Sequence, residues 1–217
     1  MAYGIALEVW GNHALFTRPE LKVERYSYDV MTPSAARGIL EAIFWKPAIR
    51  YVIDRIEVLN EIKTVNVRRN EVKSKISART VATAMKVDRS KQLYIATNDD
   101  IAQRASVILK DVRYVIHAHF ELTDKAGEAD NHGKFADTIR RRIEKGQCFY
   151  NPYFGTKEFA VNFRHYESKR QSFYEGVEKD LGIMLYDLDY GEEVQPYYFH
   201  AIMKDGVINI SDSEVYR

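Results

Sequence analysis

Near the start of the chain the apolar positions alternate. Ile5, Leu7 and Val9 fall on one side of an extended segment and Glu8 on the other, the period-two mark of a half-buried strand. Gly11 and Asn12 are expected to end it. After a polar stretch, Thr32 and Pro33 predict a helix start, with threonine as the cap and proline where a missing N–H costs nothing. Ala36, Ile39, Leu40 and Ile43 then share one stripe, and Pro47 forces a stop near Trp45-Lys46. Residues 49–59 read as a second strand rich in β-branched side chains. Its imperfect alternation leaves a bulge or two-sided burial open. Residues 112–122 alternate most cleanly: Val112, Tyr114, Ile116, Ala118, Phe120 and Leu122 oppose Arg113, Val115, His117, His119 and Glu121. The first set must be core, and the second gathers an arginine, two histidines and a glutamate on one sheet surface. A second helix is expected over about 134–145, where Phe135, Ile139 and Ile143 are spaced i, i+4, i+8 and Gly146 suits the end. Residues 159–163 follow as another strand.

This order predicts an α+β fold of the ferredoxin-like (RRM-like) β-α-β-β-α-β kind, whose open sheet face serves nucleic-acid recognition modules as a platform. Residues 63–110 are too many for a plain loop. They predict a basic insertion, a hairpin with a short helix near 98–104. Residues 181–185 and 199–203 are further strand candidates, and Lys204-Asp205-Gly206 predicts a turn into 207–210. The expected division is a domain over 1–165, carrying the insertion, and a small C-terminal β extension over 166–217.

Composition narrows the classes. Of 217 residues, 46% are hydrophobic and 29% charged, enough for a real core and unlike a disordered chain. The single cysteine, Cys148, excludes an internal disulfide framework and a cysteine-based zinc site, and reads as inert. No uncharged apolar run approaches the ~20 residues of a membrane span. Glu8, Arg18, Glu20, Lys22, Glu24 and Arg25 argue against a leader peptide. A soluble cytoplasmic protein is expected, with no membrane partner.

Charge is unevenly placed. The net value is +1, yet residues 63–91 hold nine basic side chains against two acidic, Glu71 and Asp88, for +7. Residues 175–193 hold seven acidic side chains, Glu192 among them, against Lys179, for −6. A basic, Ser/Thr-rich insertion suits contact with a phosphate backbone, and a solvated hairpin is the plainer alternative. The second helix repeats the theme, with Arg140 and Arg141 off its apolar stripe.

Several segments resemble the CRISPR-associated family 5 proteins of subtype I-C, within the RAMP superfamily. They are residues 8–19 and 27–30, Thr32-Pro33-Ser34-Ala35-Ala36-Arg37 running on to Phe44-Trp45-Lys46-Pro47, and residues 68–72, 111–114 and 118–120. Gly133-Lys134-Phe135 and residues 146–149 and 152–159 complete the set, in order along nearly the whole chain. The resemblance implies a metal-independent endoribonuclease with no cofactor. It would cut CRISPR precursor RNA within the repeat and stay on the 5′ tag as a subunit of the type I-C interference complex. Partners would be repeat RNA and the other subunits, with double-stranded DNA a further candidate.

Cutting RNA without a metal needs a base for the 2′-OH, a cation for the phosphate and an acid for the leaving 5′-oxygen, and leaves a 2′,3′-cyclic phosphate and a 5′-OH. The resemblance places a tyrosine of the family at position 44 and a Lys-His pair at 134–135. Here those positions are Phe44, Lys134 and Phe135. Either another residue moves the proton or the protein binds RNA without cutting it. Lys134 is the candidate phosphate stabiliser, and His132 and His119 are the candidates for proton transfer. His117 and His119 also have the spacing of a metal pair, but no third ligand is evident and no metal site is read. Lys46, Arg68, Arg69, Arg79, Arg140 and Arg141 are the candidate RNA contacts. Trp45 is open between base stacking and core packing; Tyr150, Tyr153, Tyr197 and Tyr198 fit base stacking as well.

Overall fold

The computed structural model describes residues 4–21, 23–86, 93–167, 170–191 and 193–217. Lys22, Asp88, Arg89, Lys91 and Glu192, which entered the charge reading, lie outside the described residues. The fold is α+β, a mostly antiparallel sheet with few helices.

Strand β1 (Ile5–Ala14) is paired on both edges, with Leu7 and Val9 fully buried. It runs past Gly11-Asn12 rather than ending there. The reason is packing: a Cβ at Gly11 would stand 3.0 Å from the Phe154 ring, so glycine lets that buried ring lie against a continuing strand. A two-residue strand, β2 (Arg25–Tyr26), then pairs in parallel with β5 (Ile101–Leu122).

Helix α1 (Pro33–Ile43) begins as expected. The Thr32 hydroxyl accepts the Ala35 N–H at 3.3 Å, and Pro33 opens the helix. Ala36, Ile39, Leu40 and Ile43 are buried, and Phe44 caps the helix in extended conformation, just short of the expected stop. Strand β3 (Ile49–Val58) carries a register shift between Ile53 and Arg55, the bulge its broken alternation allowed.

The insertion is a two-stranded arm. Strand β4 (Lys63–Val72) pairs along its whole length with the first half of β5. The short helix, α2 (Ala78–Lys86), sits earlier than the expected 98–104. Residues 101–104 are strand instead, because Asp100 makes the turn: its carboxylate accepts the Ser74 N–H and hydroxyl, both at 2.9 Å. Asp111, at φ +52°, a backbone state that Asp tolerates better than most residues, falls within β5 where its register with β1 skips from Val112 to Lys110. Beyond it β5 pairs with β1 and β3, and Tyr114, Ile116, Ala118 and Phe120 turn into the core.

Asn131 caps α3 (His132–Glu144) by accepting the Lys134 N–H at 2.9 Å, and Phe135, Ile139 and Ile143 are buried. The last central strand, β6 (Asn162–His165), falls a few residues beyond the expected 159–163. Residues 153 and 160 form only an isolated bridge. The four central strands run in the order β3-β5-β1-β6. Strands β7 (Glu178–Tyr190), β8 (Val194–Lys204), β9 (Val207–Asn209) and β10 (Val215–Tyr216) continue the sheet, with β9 hydrogen-bonded to β3. Asp205 and Gly206, both at positive φ, make the turn between β8 and β9.

Candidate functional site

Two segments far apart in sequence meet beside the first turn of α3. One is the loop leaving α1, Phe44-Trp45-Lys46; the other is the α3 N-terminus with His132, Lys134 and Phe135. The rings of Phe44 and Phe135 lie 6.1 Å apart, both buried. Over the Phe135 ring stand two ammonium groups, Lys46 Nζ and Lys134 Nζ, each 6.0 Å from its centroid. His132 stacks on Phe120 at 5.8 Å and 25°, and Phe120 meets Phe135 edge-on at 6.4 Å. The result is an apolar floor of three phenyl rings, rimmed by Lys46, Lys134 and His132.

Each part has a local cause. Proline at 47 keeps the chain from continuing as helix, so Lys46 swings out beside α3, and Trp45 is left 53% exposed rather than packed in the core. The helix N-terminus adds its partial positive charge to the same place, which favours an anion there. Lys134 is held loosely, with Nζ 3.3 Å from the Asp130 carboxylate. Asp130 accepts the Gly127 N–H, and with Lys134 this keeps its carboxyl below the usual range. Arg142 completes the surround: its guanidinium stands 5.2 Å over the Phe44 ring and donates to the Ile43 carbonyl at 2.7 Å. The sequence reading missed Arg142, although its i+7 spacing from Phe135 put it on the same side of α3.

The Tyr51 phenol reaches this region. The buried Tyr51 hydroxyl donates to the Phe44 carbonyl at 2.7 Å, and burial pushes its pKa up. It braces the loop, its hydroxyl hydrogen engaged by that carbonyl.

The other candidates lie elsewhere. His119 is on the opposite face of the sheet, 2.8 Å from Asp54, and cannot join Lys134. Its neighbour His117 is 2.7 Å from Glu57. With each imidazole on its own carboxylate, the two rings do not converge on a shared ligand position. The segment after β6 borders this face, with Tyr166 meeting His117 edge-on at 6.1 Å. Arg140 and Arg141 are exposed farther along α3, Arg140 paired to Asp137 at 3.0 Å. On the arm, Arg68 and Arg79 are exposed, whereas Arg69 is tied to Glu71 at 2.8 Å and to the Ser106 hydroxyl at 2.9 Å. The structure therefore gathers Lys46, His132 and Lys134, and leaves His119 and the arm arginines apart.

The open face is organised by a buried anion. Glu8 is 2% exposed and receives Arg113 and Arg164, both at 2.7 Å, with Arg170 at 3.3 Å. Burial opposes its charge, but the hydrogen bonds from Arg164 and Arg113 outweigh that and hold its pKa below the ordinary value. Arg113 and Arg164 also stand 5.3 and 5.2 Å from the Trp10 ring.

Ammonium groups over aromatic rings at a helix N-terminus make a place suited to an anion. Comparison with known proteins makes this specific. The profile of the CRISPR-associated protein (Cas_Cas5) family matches residues 4–211. A protein named CRISPR pre-crRNA endoribonuclease Cas5d from Mannheimia succiniciproducens is 48% identical over 215 residues, covering 97% of this chain and 96% of its own. A protein of the same name from Thermus thermophilus is 37% identical over 235 residues, covering 98% and 95%. A crystal structure described as a CRISPR-associated protein superposes with a TM-score of 0.71 at 25% identity, covering 99% of this chain and 96% of the other. The chain belongs to the CRISPR-associated Cas5 family, subtype I-C.

Proposed function

We propose that this protein cuts CRISPR precursor RNA within its repeat, without a metal ion, at the rim formed by Lys46, His132 and Lys134. It then stays on the 5′ tag as a subunit of the type I-C interference complex in the cytoplasm. The observation that carries the reading is the convergence of positions 44 and 135 under two lysines, in a chain whose relatives are named pre-crRNA endoribonucleases.

In this mechanism the lysine ammonium groups meet the non-bridging oxygens of the scissile phosphate and stabilise the charge that grows there. The 2′-oxygen bonds to phosphorus as the bond to the 5′-oxygen breaks. The proton lost by the 2′-OH is balanced by the one gained by the leaving oxygen, with His132 on the rim to carry it. Arg68, Arg69 and Arg79 on the arm and Arg140 and Arg141 on α3 hold the flanking backbone. The strand order β3-β5-β1-β6 supports reading residues 1–165 as a ferredoxin-like domain, with 166–217 as its C-terminal β extension.

The test is cleavage of cognate repeat RNA in EDTA. One cut, with a 2′,3′-cyclic phosphate end, is expected from the wild type. A second reading, a subunit that caps the guide without cutting, is favoured by Phe44 and Phe135, neither of which can carry a proton. Tight binding with no product from several cognate repeats selects it.

A further inference from the structure

Helix α1 has a second stripe. Ser34, Arg37, Gly38 and Glu41, at i, i+3, i+4 and i+7, face away from the core and line a cavity of ≈ 470 Å³. Strand β7 adds Asp187, and the loop after α3 adds Tyr150 and Tyr153. Tyr150 is fixed beside the end of α1, its N–H reaching the Ala42 carbonyl at 3.3 Å. The cavity therefore opens next to the proposed cleavage rim: Glu41 is about one helical turn from Phe44.

Three features here are unfinished. Arg37 donates to Asp187 at 2.6 Å, but its Nε is buried without a hydrogen-bond partner. The Glu41 oxygen is 3.9 Å away, too far to accept it. Buried donors of this kind are rare and costly. Glu41 faces the same space with its side chain about a third exposed (32%) and the Arg37 Nε no nearer than 3.9 Å; burial pushes its carboxyl pKa up, against the pull of Arg37 and with the push of Asp187. Gly38 is the third. Glycine is a poor choice in mid-helix, yet a Cβ there would meet nothing within 4 Å. Packing does not ask for glycine at this position, so the open space serves something else.

We infer that this cavity takes one unpaired guanine base of the bound RNA, beside the cleavage rim and separate from it; the inference rests on the RNA-cutting reading. The flat base stacks among the tyrosines. Its adjacent N1–H and N2–H donors match the two oxygens of Glu41, and its O6 accepts from Arg37 Nε, so the buried donor gains its partner. Adenine, cytosine and uracil lack that pair of neighbouring donors. Gly38 leaves the room.

The test is affinity, measured by fluorescence anisotropy, for repeat RNAs in which each guanine in turn is replaced by inosine, which lacks the N2 amino group. Wild type, Glu41→Gln and Gly38→Leu are compared. In the wild type one replacement weakens binding by about tenfold, the scale of a good base contact; in both variants the same replacement changes it less than twofold. Gly38→Ala melts about 2 °C higher, because the helix itself does not need glycine. Equal tolerance of inosine at every position, or discrimination that survives in both variants, overturns the inference. Because binding is the readout, a protein that holds RNA without cutting it still decides the question. A chain with no affinity for repeat RNA removes the function reading and this one with it.

Discussion

The two faces of the central sheet handle charge in opposite ways. On the open face the basic side chains are held by carboxylates: Arg113, Arg164 and Arg170 by Glu8, and the imidazoles of His117 and His119 by Glu57 and Asp54. On the helix side, Lys46 and Lys134 stand over a phenyl floor, and Lys134 reaches the Asp130 carboxylate at 3.3 Å and the Ala129 carbonyl at 3.4 Å, both long contacts. Locked cations hold strands together and give little to a ligand. Cations held loosely over apolar rings lose little when a phosphate replaces water. The difference teaches where to look for chemistry: at the rim, not where charges are most numerous.

The largest break in this contrast comes from the rim. Lys134→Ala is expected to slow single-turnover cleavage by about 10²–10³-fold, the cost of removing one group that stabilises transition-state charge. RNA affinity, measured by anisotropy, should change less than threefold. His132→Ala should slow cleavage by about 10²-fold or more if it is the proton carrier.

On the open face the expected effect is on stability. Glu8→Gln leaves three arginines without their anion and should cost about 2–4 kcal/mol in urea unfolding, toward the lower end because the arginines are partly exposed. The pH sign follows from the lowered Glu8 pKa. Its stabilisation is complete above the ordinary carboxylate value of 4.5 and is lost as pH falls below that through the native value. The wild type should therefore lose more stability than Glu8→Gln between pH 5 and 2.

How much of this was readable in advance differs by level. Period-two and helical patterns located β1, α1, the core half of β5 and α3, because burial on one face leaves a regular trace. Side-chain caps such as Thr32 were equally plain. The α2 position and the strand over residues 101–104 were not, since α2 buries none of its residues and the arm strands there alternate only between exposed and half-buried positions, a trace too weak to stand out in the sequence. Lys46, His132 and Lys134 could each be named, but their meeting could not. It depends on Phe44 and Phe135 packing across 91 positions of chain, and on Phe120 lying beneath His132, which no local spacing encodes. Alternation over 112–122 already put His119 on the face away from the core; that Lys134 and α3 lie on the other face is what only the folded chain shows.

Two smaller effects sharpen the contrast. Phe135→His puts an ionisable ring beneath the two lysines and should raise the cleavage rate by about tenfold, the low end for a placed general acid or base. His119→Ala should leave cleavage within twofold and cost less than about 1 kcal/mol of stability, because its pair with Asp54 is partly exposed.

The most direct measurement is single-turnover cleavage of end-labelled repeat RNA in EDTA by wild type and Lys134→Ala, with the product ends identified. The account predicts one cut by the wild type, a 2′,3′-cyclic phosphate and a 5′-OH, and a loss of at least about 10²-fold in the variant at nearly unchanged affinity. Equal rates for the two proteins, or cleavage that appears only when a divalent metal is added, would contradict it.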